Sequence, residues 1–129
     1  MKLTNMEMNQ YYSCLEEISE KVSGKFAYSV AKNMQSIARE LVEYEQIRSD
    51  MLTKYGTKGN DGTYSLNIHS QPFKDFIEEM KPYDITTKEV DIVTIEPSIV
   101  YSSELNAKEI LSIMFMIQED KKDEPNKNS

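Results

Sequence analysis

The sequence predicts a mixed α+β fold with about four helices, one of them long and central, and a small sheet of two or three short strands. Apolar residues recur at spacings of three and four over residues 5–22 and 28–55, as on one face of a helix. Residues 63–68 alternate between apolar and polar, and residues 86–95 are rich in β-branched side chains, as in strands. A chain of 129 residues suits one hydrophobic core. We therefore predict a single α+β domain over residues 1–118.

The first two predicted helices carry clear boundary signals. Thr4 followed by Glu7 forms the pattern of a capping box, which satisfies free amides in the first turn of a helix. Gly24 stands where a left-handed residue would end the first helix, and Gly56 follows the second. At about 1.5 Å per residue the second helix is about 40 Å long, more than a core of this size needs. We expect it to bend around the core or to project towards a second chain.

The middle of the chain alternates between short predicted elements. A polar turn precedes the strand over residues 63–68, and Ser70 with Pro72 predicts the start of a third helix that Pro82 ends. Two or three strands do not form a stable sheet alone. We expect them to pack against the helices or to pair across a dimer.

The C-terminal quarter is predicted to contain an extended edge segment over residues 98–103 and a last helix over residues 107–118. Asn106 and Glu109 form a second capping signal. The last helix is apolar on nearly every side, which is typical of a helix buried in a core or an interface. Residues 119–129 are charged and lack a large apolar side chain, so we predict a disordered polar tail.

The composition limits the classes of partner. The chain has 22 acidic and 15 basic residues, a formal net charge of −7, and only two arginines, Arg39 and Arg48. Duplex binding needs clustered cations that displace counterions from phosphates, so we predict no nucleic-acid partner. No stretch approaches the roughly 20 apolar residues of a membrane span and no secretion signal begins the chain, so we predict no membrane association. The single cysteine, Cys14, suits a reducing compartment, and we expect an intracellular protein.

No arrangement of residue types predicts catalysis. His69 is the only histidine and Cys14 the only cysteine, whereas zinc sites draw on several such ligands. Adjacent carboxylates such as Glu16 and Glu17 point about 100° apart on a helix and do not converge on one substrate atom. The glycines of residues 56–62 lack the Lys-Ser/Thr that completes a phosphate-binding loop. We predict that the protein is not an enzyme and uses no metal and no cofactor.

Tyrosine and methionine are abundant, with eight of each, and tryptophan is absent. Tyrosine often anchors interfaces, and methionine adapts to irregular partners. Together with the long helix and the apolar C-terminal helix, this composition predicts a homo-oligomer. At each tyrosine the alternative is a half-buried position at the edge of the core. The candidate partner- or ligand-binding residues are Tyr28, Lys32, Arg39, Tyr44, Arg48, Tyr55 and Tyr64.

Five segments are distinctive in sequence and order: Lys2-Leu3-Thr4-Asn5, Val30-Ala31-Lys32-Asn33, Lys54-Tyr55-Gly56, the strand at residues 90–95 and the apolar run at residues 114–117. In these segments the chain resembles a family of small tailed-phage and prophage proteins of unknown function. The resemblance covers almost the whole chain, up to residue 120. It implies a phage gene from a low-GC Gram-positive host, and it brings no catalytic residues.

Three functional hypotheses follow from the resemblance and the composition. The first is a phage-encoded protein that binds a host protein, such as a component of an antiphage defence or a host machine that is redirected. The second is a sponge that sequesters a nucleotide-like immune signal in an oligomer crevice. Its base would stack on Tyr28, Tyr55 or Tyr64, and its phosphate would bind Lys32, Arg39 or Arg48. The third is a virion assembly or accessory protein.

Overall fold

The structure, a computed structural model, describes residues 1–119 and has the predicted mixed α+β fold. The described residues contain five α-helices, one more than predicted. Of the predicted polar tail, all residues after Glu119 lie outside the described residues. The elements in chain order are β1 (Lys2–Thr4), α1 (Asn5–Ile18), α2 (Gly24–Tyr55), β2 (Thr57–Lys58), β3 (Tyr64–Ser65), α3 (Gln71–Asp84), β4 (Thr87–Glu89), α4 (Pro97–Tyr101), α5 (Ala107–Ser112) and a 3₁₀ turn (Met114–Met116).

Helix α1 begins at the predicted capping box. The Thr4 hydroxyl accepts a hydrogen bond from the Glu7 amide at 3.0 Å, and the Glu7 carboxylate accepts one from the Thr4 amide at 2.9 Å. The helix ends at Ile18 rather than at residue 22. The Lys21 amide donates to the Ile18 carbonyl at 2.9 Å, and this tight turn reverses the chain into α2.

Helix α2 is the long central helix that the sequence predicts. It has 32 residues and is therefore about 48 Å long. Gly24, at a φ of 58°, begins α2 instead of ending the first helix, so α2 starts four residues earlier than predicted. Helices α1 and α3 both pack against α2. The buried residues of α2 are Phe26, Ser29, Val30, Asn33, Ile37, Leu41 and Tyr44.

The strands pair within the chain as two small antiparallel ladders, β1 with β4 and β2 with β3. Both predicted strands are shorter in the structure, because β1 and β2 offer only three and two residues to pair with. Lys88 lies opposite Leu3 in the first ladder, and its ammonium donates to the Glu40 carbonyl of α2 at 2.9 Å. This contact ties the ladder to the central helix.

In the segment after β4, the backbone of Val93 pairs with a side chain of α2 and not with another strand. Asn33, which is fully buried on α2, accepts from the Val93 amide at 2.7 Å and donates to the Val93 carbonyl at 2.9 Å. Two residues later Ile95 pairs in parallel with Ile117, and its amide donates to the Met116 carbonyl at 2.8 Å. Residues 90–95 therefore contain one isolated bridge, at Ile95, and no continuous strand.

The C-terminal region departs most from the sequence prediction. Residues 98–103 were expected to be extended, but Pro97 occupies the first turn of a helix, where its missing amide costs nothing, and α4 forms. The predicted helix over residues 107–118 is split into α5 and the 3₁₀ turn, because Ile117 leaves the helix to pair with Ile95.

The split C-terminal helix is not buried on every side, contrary to the expectation. Ile113 and Met116 are fully buried, whereas Leu111 and Met114 are exposed. Phe115 stacks on Tyr11 of α1, with ring centroids 4.0 Å apart. The second predicted capping box is confirmed, since the Glu109 amide donates to the Asn106 side chain at 2.9 Å, but it caps a helix of one to two turns.

Helix α3 begins at Ser70 as predicted but continues two residues past Pro82, to Asp84. A proline in the last turn removes only one backbone hydrogen bond, so it does not end the helix at once. Within residues 1–119 none of the helices is both long enough and apolar enough to cross a membrane.

The paired hydrogen bonds between Asn33 and Val93 generate the first prediction. Asn33→Ala removes both bonds and leaves the Val93 amide and carbonyl without their partner, so we expect a loss of about 2 kcal/mol in the free energy of unfolding. Urea unfolding followed by circular dichroism measures this loss. Gln35→Ala, at an exposed position of the same helix, is the matched control. An Asn33→Ala midpoint equal to that of the control would contradict the role assigned to Asn33.

Candidate functional site

An apolar groove runs between α1 and α2, with a volume of about 490 Å³. Leu41 is buried at its floor, whereas Val42 beside it is 69% exposed. A volume of this size is within the range of small-molecule and side-chain binding sites. We call this surface the α1–α2 groove; its lining residues are Asn9, Tyr12, Ala38, Leu41, Val42, Glu45 and Gln46.

Val42 contributes to the α1–α2 groove because it does not lie on the side of α2 that faces the core. Ile37, Leu41 and Tyr44 keep the spacing of three and four that faces the core, and Val42 is turned about 100° from Leu41. Ala38, four residues before Val42, has a side chain too small to fill the space beside Tyr12. Val42 is not among the predicted binding residues, although its apolar side chain at a position off the buried stripe was a signal in the sequence.

The solvent side of α2 carries three of the seven candidate residues. Tyr28, Lys32 and Arg39 are spaced by four and seven residues, so they lie on one line along the helix, and all are exposed. We call this surface the outer face of α2 and define it by Tyr28, Lys32, Arg39, Val42, Glu43 and Asp50. Its exposed positions run for more than 20 residues, from Tyr28 to Asp50, uninterrupted by any other element.

Tyr44 is a buried link between α2 and α3. Its hydroxyl donates to the Asp84 carboxylate at 2.6 Å, and only 5% of the residue is exposed. Burial, reinforced by the bond to Asp84, raises the pKa of the Tyr44 hydroxyl far above its usual range. Arg48, one turn further along α2, is exposed and lies close enough to lower that pKa slightly. Tyr44 therefore holds the helices together in its neutral form.

Tyr55 and Lys54 meet the same carboxylate of α3. The Tyr55 hydroxyl donates to Glu79 at 2.6 Å and the Lys54 ammonium at 3.1 Å. These two donors, Tyr55 first, hold the pKa of Glu79 below its usual value. Tyr64 lies on β3, is half-buried and packs closely against Gly56. A Cβ added at Gly56 would be only 3.3 Å from the Cβ of Tyr64.

The seven candidate residues therefore lie in three groups: Tyr28, Lys32 and Arg39 on the outer face of α2; Tyr44 and Arg48 one turn apart on α2; and Tyr55 and Tyr64 beside Gly56. Tyr28 and Tyr55 are near opposite ends of α2, about 40 Å apart. Within one molecule the candidate residues do not form a common pocket.

A second cavity, of about 420 Å³, lies where α2 begins and α4 ends. It is lined by residues that include Lys21, Lys25, Ser102, Ser103 and Glu104. The Lys21 ammonium pairs with Glu109, whose pKa is lowered mainly by that contact. A carboxylate thus already accompanies the basic groups of this cavity.

Across residues 1–119, no group of three or more histidine, cysteine, aspartate or glutamate side chains is arranged to hold a metal ion. No family model, no curated protein and no solved structure matches this chain.

The contact between Tyr55 and Glu79 generates the second prediction. Because the hydroxyl stabilises the ionised carboxylate, Tyr55→Phe should raise the pKa of Glu79 towards its ordinary value of 4.5. A carboxyl with a lowered pKa contributes stability above pH 4.5 that is lost as the pH falls through its pKa in the folded protein. The acid unfolding of Tyr55→Phe should therefore depend less on pH in this window.

NMR titration of the Glu79 side-chain carboxyl measures the first effect directly. Tyr83→Phe is a suitable control, since its aromatic side chain is exposed on α3. An unchanged Glu79 titration midpoint in Tyr55→Phe would show that the hydrogen bond does not set this pKa.

Proposed function

We propose that this is a phage-encoded protein that acts by binding a host protein in the host cytoplasm, without catalysis, and that the α1–α2 groove receives an apolar side chain of that partner. The observation that carries the proposal is the groove itself. It combines an apolar wall of Ala38, Leu41 and Val42 with polar groups at its rim. Such a combination is typical of sites that take one anchor side chain and orient it by a few hydrogen bonds.

The charge of the protein supports a basic partner segment. Glu45 stands at the rim of the α1–α2 groove, and the whole chain has a formal net charge of −7. Opposite charge on a partner speeds encounter and selects its orientation. The preferred partner surface therefore presents an apolar side chain next to lysine or arginine. Support for a phage origin and a host target comes from the resemblance of the sequence to small tailed-phage proteins.

The nucleotide-sponge alternative would use the second cavity, where Lys21 and Lys25 lie beside the start of α2. A sponge of this kind would carry a small-molecule mass in native mass spectrometry and show absorbance near 260 nm beyond that of its tyrosines. Among residues 1–119, Lys21 and Lys25 at this cavity favour the alternative, and Glu104 and Glu109 oppose it.

The groove generates the third prediction. Asn9→Trp places a large side chain in the α1–α2 groove from the α1 side, leaving α2 unchanged, and should weaken partner binding at least tenfold, about 1.4 kcal/mol. The partner is first captured from host lysate, identified by mass spectrometry and purified, and its affinity is then measured by calorimetry. Gln10→Trp, exposed at the next position of α1, is the matched control.

Equal affinity of the Asn9→Trp and Gln10→Trp variants would exclude the groove as the binding site. Failure of the wild-type protein to retain any host protein would overturn the proposed function as a whole.

A further inference from the structure

The outer face of α2 is a long exposed helical surface that no other element of the described chain covers. All of its defining side chains are exposed, including Tyr28 at 65% and Val42 at 69%. The helix that carries it is about 48 Å long. The core uses only the opposite side of this helix.

Charges on this face are segregated along the helix. Lys32 and Arg39 lie in its N-terminal half, and Glu43 and Asp50 in its C-terminal half. Their spacings of seven, four and seven residues place all four along one edge of the face. The sequence of charges is thus two bases followed by two acids, arranged symmetrically about residue 41.

We propose that the outer face of α2 binds the same face of a second copy of this chain, with the two helices antiparallel and related by a two-fold axis near residue 41. In this arrangement Arg39 lies opposite Glu43 of the second copy, and Lys32 lies opposite Asp50 of the second copy. The symmetry forms each pair twice. A self-complementary patch of this kind is what a two-fold interface requires.

Two apolar residues agree with this axis, Val42 on the outer face and Ala38 at its border. Ala38 and Val42 are symmetric about residue 40, one position from the centre of the charged edge. An antiparallel pair therefore places Val42 of one copy beside Ala38 of the other. A small residue opposite a larger one lets two helices approach to the usual 8–10 Å between axes. The ion pairs fix the relative orientation of the two helices.

Pairing within one helix does not explain the order of the charges. Arg39 and Glu43 are four residues apart, but the favourable order in a single helix puts the acid before the base. Here the base comes first, and neither side chain takes part in an ion pair among residues 1–119. If the two copies of α2 were parallel and in register, each charge would lie beside the same charge of the other copy. Repulsion between like charges therefore favours the antiparallel arrangement.

The dimer is compatible with the α1–α2 groove but does not rest on it. The two-fold axis is perpendicular to the plane of the two α2 helices, so it leaves both grooves opening on the same side of the pair. Ala38 and Val42 border the groove and the interface alike. The dimer would thus present two grooves next to each other, one from each copy.

Charge reversal tests the pairing. Sedimentation velocity and native mass spectrometry of the full chain should show a dimer for the wild type. Arg39→Glu places acid opposite acid, and Glu43→Arg places base opposite base, so each variant alone should bind itself at least tenfold more weakly. A mixture of the two variants should form a heterodimer, because every base then faces an acid. The double variant, which exchanges both charges, should dimerise like the wild type.

Lys74→Glu on α3 and Glu17→Arg on α1 are matched controls, since both change an exposed charge by the same amount away from α2. Both should remain dimers, and circular dichroism should show unchanged helix content for all variants. A monomeric wild type would overturn the proposal. So would single variants that remain dimers, or a mixture that forms no heterodimer. The oligomeric state of these variants and the partner affinity of Asn9→Trp, a residue of α1 outside the charged edge, are separate readouts, so either proposal can fail without the other.

Discussion

The hydrogen bonds between Asn33 and Val93 are the constraint on which the arrangement of the C-terminal half depends. Backbone groups that leave water need partners, and residues 90–95 lie beside a three-residue strand that is too short to supply them. The side-chain amide of Asn33 supplies one donor and one acceptor, as a neighbouring strand would. With Val93 held in place, Ile95 reaches Ile117, and the last helix is interrupted to complete that pair.

Only one side of helix α2 packs against the rest of the described protein. Its buried side receives α1, α3 and the segment held by Asn33. Tyr44 and Tyr55 extend this side by hydrogen bonds to the acidic residues Asp84 and Glu79 of α3. The opposite side is left exposed over most of the helix. One side of this helix therefore packs in the core, and the exposed side carries the surface proposed for self-association.

The functional proposals depend on surfaces rather than on a reactive cleft. The α1–α2 groove suits an apolar anchor because its floor is Leu41 and its edge is Val42. The outer face suits a second copy because its charges are self-complementary. The two surfaces adjoin at Ala38 and Val42, so self-association and partner binding would be organised by the same part of α2.

Local signals predicted the parts of the structure that local interactions stabilise. Most of α2, from Tyr28 to Tyr55, follows from helical spacing without proline, and both capping boxes depend on residues three positions apart. Of the candidate binding residues, Tyr28, Lys32 and Arg39 could be placed together because their spacing is itself helical. Tyr44 could not be distinguished from them in the sequence, because Asp84, which accepts its hydrogen bond, is 40 positions away.

The sequence by itself therefore determined the helical periodicity of α1, α2 and α3 and the order of charges along α2, which are set within a few turns of one helix. Only the tertiary structure decided where the strands end, how the C-terminal helix is split and which apolar residues line a groove. Those features depend on partners distant in the chain, such as Ile95 for Ile117 and α1 for Val42. No short stretch of sequence contains both members of such a contact.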